Sequence, residues 1–111
     1  MLVSTAEFGW PPWEPVPRLT DEQYNAVCEL EEAVHADKAP AVLLDPRELV
    51  PTWPHVETAT LTGLIDVEFV PAILVIQSEG RKYIYDGHHR ATRARIDNQL
   101  VRSVVFDADR G

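Results

Sequence analysis

Residues 70–96 read VPAILVIQSEGRKYIYDGHHRATRARI, and this stretch decides the fold. Val70 to Ile76 is a continuous apolar run of strand length with a proline near its start. Such a run predicts a strand buried on both faces. Ser78-Glu79-Gly80 reads as a turn and Lys82 to Tyr85 as a second strand, so residues 70–85 predict a hairpin. Asp86-Gly87 breaks that strand. A helix is expected from His88 to Asp97, then a turn at Asn98-Gln99. Val101 to Phe106 is β-branched and predicts a last strand.

Upstream, Thr20 to Asp37 predicts a helix. Thr20 is placed as N-cap with Gln23 three residues on, the spacing of a capping box. Asp21 and Glu22 suit the positive end of the helix, and His35 suits its negative end. Tyr24, Val27, Cys28, Leu30 and Val34 form an apolar stripe, which makes Cys28 a core thiol and not a nucleophile. Pro40 stops the helix. Ala41 to Leu44 predicts a short strand, Asp45-Pro46 a turn, and Arg47 to Val50 a helical turn. Residues 51–57, PTWPHVE, read as loop, and residues 58–66 as a short helix with Leu61, Leu64 and Ile65 on one face. The order predicts an α/β (α+β) domain with a small mixed sheet and flanking helices.

Residues 8–18, FGWPPWEPVPR, hold four prolines and two tryptophans. Proline fixes φ and removes a donor, so this is an extended segment. Its aromatics either cover the domain's own core or, through the PxxP spacing of Pro12 and Pro15, serve a protein partner. The expected division is an arm over 1–19 and one domain over 20–111, with its core at 41–107.

The 111 residues suit one modest core. Ten basic against eighteen acidic residues give a net charge of −8. That balance disfavours a general nucleic-acid binder, whose footprint is basic. The single cysteine excludes an intrachain disulfide and suits a reducing compartment. No run approaches a membrane span, and no signal peptide is expected at MLVSTAEFGW. The expected location is cytoplasmic.

Against this acidic background, residues 79–95 carry five basic and two acidic residues, leaving five against sixteen elsewhere. The first turn of a helix leaves backbone N–H groups unpaired, and glycine lets an anion approach them closely. A strand–glycine–helix junction is therefore a ready phosphate site. Gly87 and the amides after it would cradle the anion, and His88, His89, Arg90 and Arg93 would supply positive donors. Arg90 and Arg93 are three apart, on one helix face, and a guanidinium fork suits phosphate oxygens. The alternative is a capped turn in which Asp86 merely pairs with an arginine. Metal binding by His88 and His89 themselves is disfavoured, because adjacent helical residues diverge by about 100°. A magnesium ion carried by a nucleotide, with Asp86 helping to hold it, suits the residues better.

The run 70–96 with the strand after it resembles the ParB/sulfiredoxin superfamily, over roughly residues 41–107. Within it, Asp86-Gly87-His88-His89-Arg90 is most similar to the motif of the ParB-like free serine kinases, which helps bind nucleotide phosphates. Sulfiredoxins carry Gly-Cys-His-Arg at this place. His88 stands at the cysteine's position, so the resemblance does not imply sulfinic-acid repair. ParB partition proteins carry Gly-Glu-Arg-Arg, bind CTP and continue into a helix-turn-helix domain; this chain has His88-His89 in place of Glu-Arg and ends at Gly111, so centromere binding and partitioning are not expected. The kinase resemblance also implies a carboxylate that activates a hydroxyl acceptor, after a segment matching LVPTWPHVE, residues 49–57. Glu57 is the best match, Glu48 the reserve, and His55 lies beside it.

The resemblance thus implies an NTP (ATP or CTP) with Mg²⁺ as cofactor. Gly87, His88, His89, Arg90 and Arg93 would bind it, Asp86 would hold the metal, and Glu57, Asp86 and His88 would be catalytic. The activity implied is that of a phosphotransferase or NTPase. Two alternatives stand beside it. One is a non-catalytic regulatory or protein-interaction module, of the kind a phage or accessory element encodes. The other is a ParB-like DNA-binding or nuclease domain, with which the acidic total conflicts.

Overall fold

The computed structural model describes residues 1–64 and 71–110. Its organising element is the central strand. Strands β1 (Leu2–Ser4), β2 (Val42–Leu44), β3 (Leu49–Val50), β4 (His55–Glu57), β5 (Ile73–Ser78), β6 (Arg81–Asp86) and β7 (Val101–Asp107) combine with helices α1 (Asp21–His35), α2 (Thr58–Gly63) and α3 (His88–Ile96). Five strands form one mixed sheet in the order β2-β7-β5-β6-β3. β5 runs antiparallel to β6 and parallel to β7, and β3 runs parallel to β6.

The apolar run of β5 is buried on both faces, as its composition predicts, and the two faces feed different cores. Ile73 and Val75 join Trp10, Leu49, Ile84, Ala91 and Val101 on the side of α3. Leu74 and Ile76 join Val27, Val34, Ala72 and Val104 on the side of α1. Period-two alternation puts neighbouring side chains on opposite faces, so one strand can nucleate two layers.

Helix α1 starts as its sequence predicts. Gln23 N donates to Thr20 Oγ1 at 3.1 Å, and Thr20 N donates to Gln23 Oε1 at 2.9 Å, a complete capping box. Val27 and Val34 are buried, whereas Tyr24 stands exposed and Cys28 only partly covered. The buried stripe is therefore narrower than the apolar pattern suggests.

Three stretches differ from expectation. Leu49-Val50 is not part of a helical turn. A 3₁₀ turn spans only Pro46–Glu48, capped by Asp45, and Leu49-Val50 then pairs with Lys82 and Tyr83. Residues 55–57 are strand, not loop, because Leu2–Ser4 lies antiparallel to them, with Val3 opposite Val56. Local composition cannot reveal a partner some fifty residues away. The short helix ends at Gly63. Leu61 is buried, Leu64 sits just beyond the helix end, and Ile65, like Val70, lies outside the described residues.

The proline-rich stretch leads off from a deep anchor. Trp10 is 4% exposed and its Nε1 donates to Thr92 Oγ1 at 3.0 Å. Arg95 stacks over the Trp10 ring at 4.8 Å and donates from Nε to Phe8 O at 2.9 Å. Beyond it, Arg81 Nη1 donates to Glu14 Oε1 at 2.8 Å. This segment lies on the body of the domain, while Trp13 stays half-exposed.

Replacing Trp10 with alanine removes a buried indole and its hydrogen bond. The expected loss is about 3–5 kcal/mol, read from urea unfolding midpoints. Thr20→Ala removes the α1 cap, and the same measurement should show a loss of about 1 kcal/mol.

Candidate functional site

β6 approaches the site through an irregularity. Val75 opposes Ile84 but the next residue back, Leu74, opposes Asp86, so Tyr85 is an extra residue on β6. A bulge of this kind bends its strand and re-aims the residues beyond it. Gly87 then takes φ +104°, in the left-handed region. A Cβ there would lie 2.5 Å from Ile73 Cγ2 and 2.8 Å from Arg90 Nη2. Glycine is required at this position both by its backbone angle and by the close packing around it.

Helix α3 begins at His88 with Gly87 as its cap residue, and among the described residues no side chain caps its opening amides. Beside them lies a cleft of about 400 Å³. Asp86, Gly87, His88, His89 and Arg90 form one wall, and Leu2, Trp53, Leu64 and Pro71 contribute apolar surface to the others. His55 and Thr60 also reach it. No sequence signal pointed to the cleft role of Trp53, which reads locally as one more residue of a proline-rich loop.

Arg90 is the central charge. Its side chain is only 19% exposed, its Nη2 lies 3.7 Å from Asp86 Oδ2, and its buried Nε has no hydrogen-bond partner among the described residues. Asp86 Oδ2 is shared with His35 Nε2 at 3.1 Å, so the far end of α1 reaches the site. In the sequence His35 reads only as a residue of the α1 terminus.

The adjacent histidines have separate, fastening contacts. His88 Nε2 accepts from the Thr52 amide at 3.0 Å, and Thr52 Oγ1 is bonded to Ile84 O at 2.6 Å. His89 Nε2 accepts from the Glu57 amide at 2.9 Å. Each ring therefore holds its proton on Nδ1 and is neutral in this arrangement. The two rings pin residues 52–57 to the start of α3. Burial pushes the His88 imidazole down to about 4, with His89 adding to the fall. His89 is lowered too, again chiefly by burial.

Other residues of the motif point elsewhere. Arg93 makes a two-pronged pair with Asp97, at 2.9 and 2.6 Å, and does not line the cleft. The structure thus does not bring Arg90 and Arg93 together. The Glu57 carboxylate binds the amine of Met1 and caps α2 through the Ala59 amide at 3.2 Å. Those contacts hold its pKa below the usual carboxylate range, and Glu57 does not line the cleft. Of the five basic residues between 79 and 95, Arg81, Arg93 and Arg95 are engaged in structural contacts.

The implied nucleotide and metal fare differently against these residues. The Arg90 Nε and the opening amides of α3, both without a side-chain partner among the described residues, fit a phosphate. Among the described residues no group of three metal-ligating side chains gathers. Asp86 alone would have to serve a metal, with the nucleotide supplying the other ligands.

The comparison with solved structures agrees with the topology. A crystal structure of sulfiredoxin from Arabidopsis thaliana superposes with a TM-score of 0.50, at 16% identity, covering 61% of this chain and 85% of that one. The fold is sulfiredoxin-like. At that identity the likeness is one of fold alone. No family model matches the chain, and no curated protein matches it. Among the described residues, no helix is long and apolar enough to cross a membrane.

Gly87→Ala should destabilise by about 2–5 kcal/mol, from left-handed strain plus overpacking, in urea unfolding. His88 adds a pH dependence. Its folded pKa lies below its unfolded value, so the unfolded chain takes up the proton first as pH falls. The contribution is complete above about pH 6.5 and is lost progressively down to about pH 4, by about 3 kcal/mol at most. Unfolding midpoints of wild type and His88→Gln across that window should show a shallower slope in the variant.

Proposed function

We propose that the domain binds the phosphates of a nucleoside triphosphate at the β6–Gly87–α3 junction, with magnesium carried on the nucleotide. The observation that carries this reading is Arg90, whose buried Nε lacks a partner among the described residues, beside helix amides that none of those residues' side chains caps. A buried guanidinium nitrogen left unpaired is costly, and an anion in the cleft would satisfy it. The amides after Gly87 cradle the phosphate, Arg90 and His89 border it, and Asp86 lies where a nucleotide-bound magnesium could be met. The nucleotide identity, ATP or CTP, is supported by the resemblance of the motif.

Phosphoryl transfer or hydrolysis is the finer part of the proposal. Such catalysis is chiefly positioning and charge neutralisation, which this junction supplies. The base assigned to Glu57 rests on the resemblance. Its lowered pKa makes it a weak base, and its contacts with the Met1 amine and the Ala59 amide would have to open. A second reading, a non-catalytic interaction module, draws on Trp13, which stays half-exposed beside the prolines.

Calorimetric titration with ATP, CTP, GTP and ADP, with and without magnesium, tests the site. Binding of at least one triphosphate is expected, weakened about tenfold or more by Arg90→Ala, since charge-assisted hydrogen bonds contribute about 1.5–3 kcal/mol. Arg93→Ala should have a smaller effect. No binding at millimolar nucleotide would overturn the nucleotide reading and favour the interaction module. Turnover present in wild type and absent in Glu57→Ala, with binding retained, would establish the base. Turnover unchanged in that variant would remove Glu57 from the chemistry.

A further inference from the structure

The phosphate junction and a large exposed indole line the same cleft. Trp53 is 61% exposed and lines the same cleft as Gly87 and Arg90, together with Leu2, Leu64 and Pro71. Its backbone is held on both flanks. Thr52 is tied through its amide to His88 Nε2 at 3.0 Å, and the Pro54 carbonyl accepts from the Thr5 amide at 2.9 Å. The chain around this residue is therefore anchored to α3 on one side and to the N-terminal segment on the other. Between two anchors, an aromatic ring is presented to solvent where burial would be favourable.

An indole held in this way offers a π-face that any base can stack on, with little ordering cost. Phosphates require donors and positive charge, which the Asp86–Arg90 wall concentrates. A planar heteroaromatic ring requires an apolar platform, which the Trp53 wall supplies. The cleft volume of about 400 Å³ lies within the ~300–1,000 Å³ typical of small-molecule sites. We propose that Trp53 is the nucleobase platform of this cleft, so that the ligand is a nucleotide and not an inorganic polyphosphate. This rests on the phosphate site proposed above and adds the second half of the ligand to it.

The test separates the two halves by comparing a nucleotide with inorganic tripolyphosphate, which has no base. Affinities for tripolyphosphate and for ATP, CTP or GTP, whichever binds wild type most tightly, are measured by calorimetry on wild type, Trp53→Ala and Trp53→Phe. Trp53→Ala is expected to weaken nucleotide binding roughly 5- to 150-fold, the range that loss of one stacked base gives. Tripolyphosphate affinity should stay within about twofold of wild type, and Trp53→Phe should retain most of the nucleotide affinity. Nucleotide should also quench the tryptophan fluorescence of wild type, and that quench should largely disappear in Trp53→Phe.

Nucleotide affinity unchanged in Trp53→Ala, with both ligands still bound, overturns the platform and leaves the phosphate site standing. An equal loss for both ligands also overturns it, because the residue would then be shaping the cleft and not meeting a base. Failure of wild type to bind either ligand removes the phosphate site and the platform together. Because Trp53 is exposed, both variants should fold as wild type does, and an unshifted urea midpoint checks this.

Discussion

The double burial of β5 is the constraint on which the rest depends. Ile73 and Val75 require an apolar layer on one face, and Leu74 and Ile76 require another on the opposite face. A sheet this small can meet both demands only by placing a helix on each side. α1 serves one face. α3, with Trp10 tucked beside it, serves the other. Because α3 follows β6 directly, covering the sheet also sets a helix N-terminus at the strand's end. The candidate site thus arises where the packing demand of the core meets the turn that the demand forces.

That turn is tight. Ile73 lies so close beneath Gly87 that the core and the cleft are separated by one side chain. The Arg90 guanidinium packs against the same glycine. The junction therefore couples core packing to site geometry, with no space for a Cβ between them. The bulge at Tyr85 and the shared carboxylate of Asp86 complete the arrangement, drawing the end of α1 into contact with the start of α3.

The positive cluster that first suggests an anion site has a divided role. Arg95 clasps the Trp10 segment, Arg93 pairs with Asp97 in its own helix, and Arg81 meets Glu14. Arg90 lines the cleft and keeps a buried Nε with no partner among the described residues. The two histidines, equally conspicuous in sequence, use one ring nitrogen each to hold backbone amides of residues 52 and 57. Much of the motif's charge and polarity thus builds the wall of the site. The sulfiredoxin-like fold gives this wall a recognisable topology, and the chemistry placed on it is proposed from the residues themselves.

Several elements were legible in the sequence because their causes are local. The β5 run, the Thr20–Gln23 box and the glycine between β6 and α3 each depend on residues within a few positions of one another. Strand pairing of residues 55–57 was not legible, since its partner is Leu2–Ser4 at the other end of the segment. By itself, the sequence determined the central strand, the capped helix and the strand–glycine–helix junction. Only the tertiary structure decided which arginine lines the cleft, what the histidines hold, and that an exposed Trp53 shares the cleft with the junction. The reason is physical. Backbone conformation answers mainly to near neighbours, whereas the task of a long polar or aromatic side chain is set by whichever distant group the fold brings within reach.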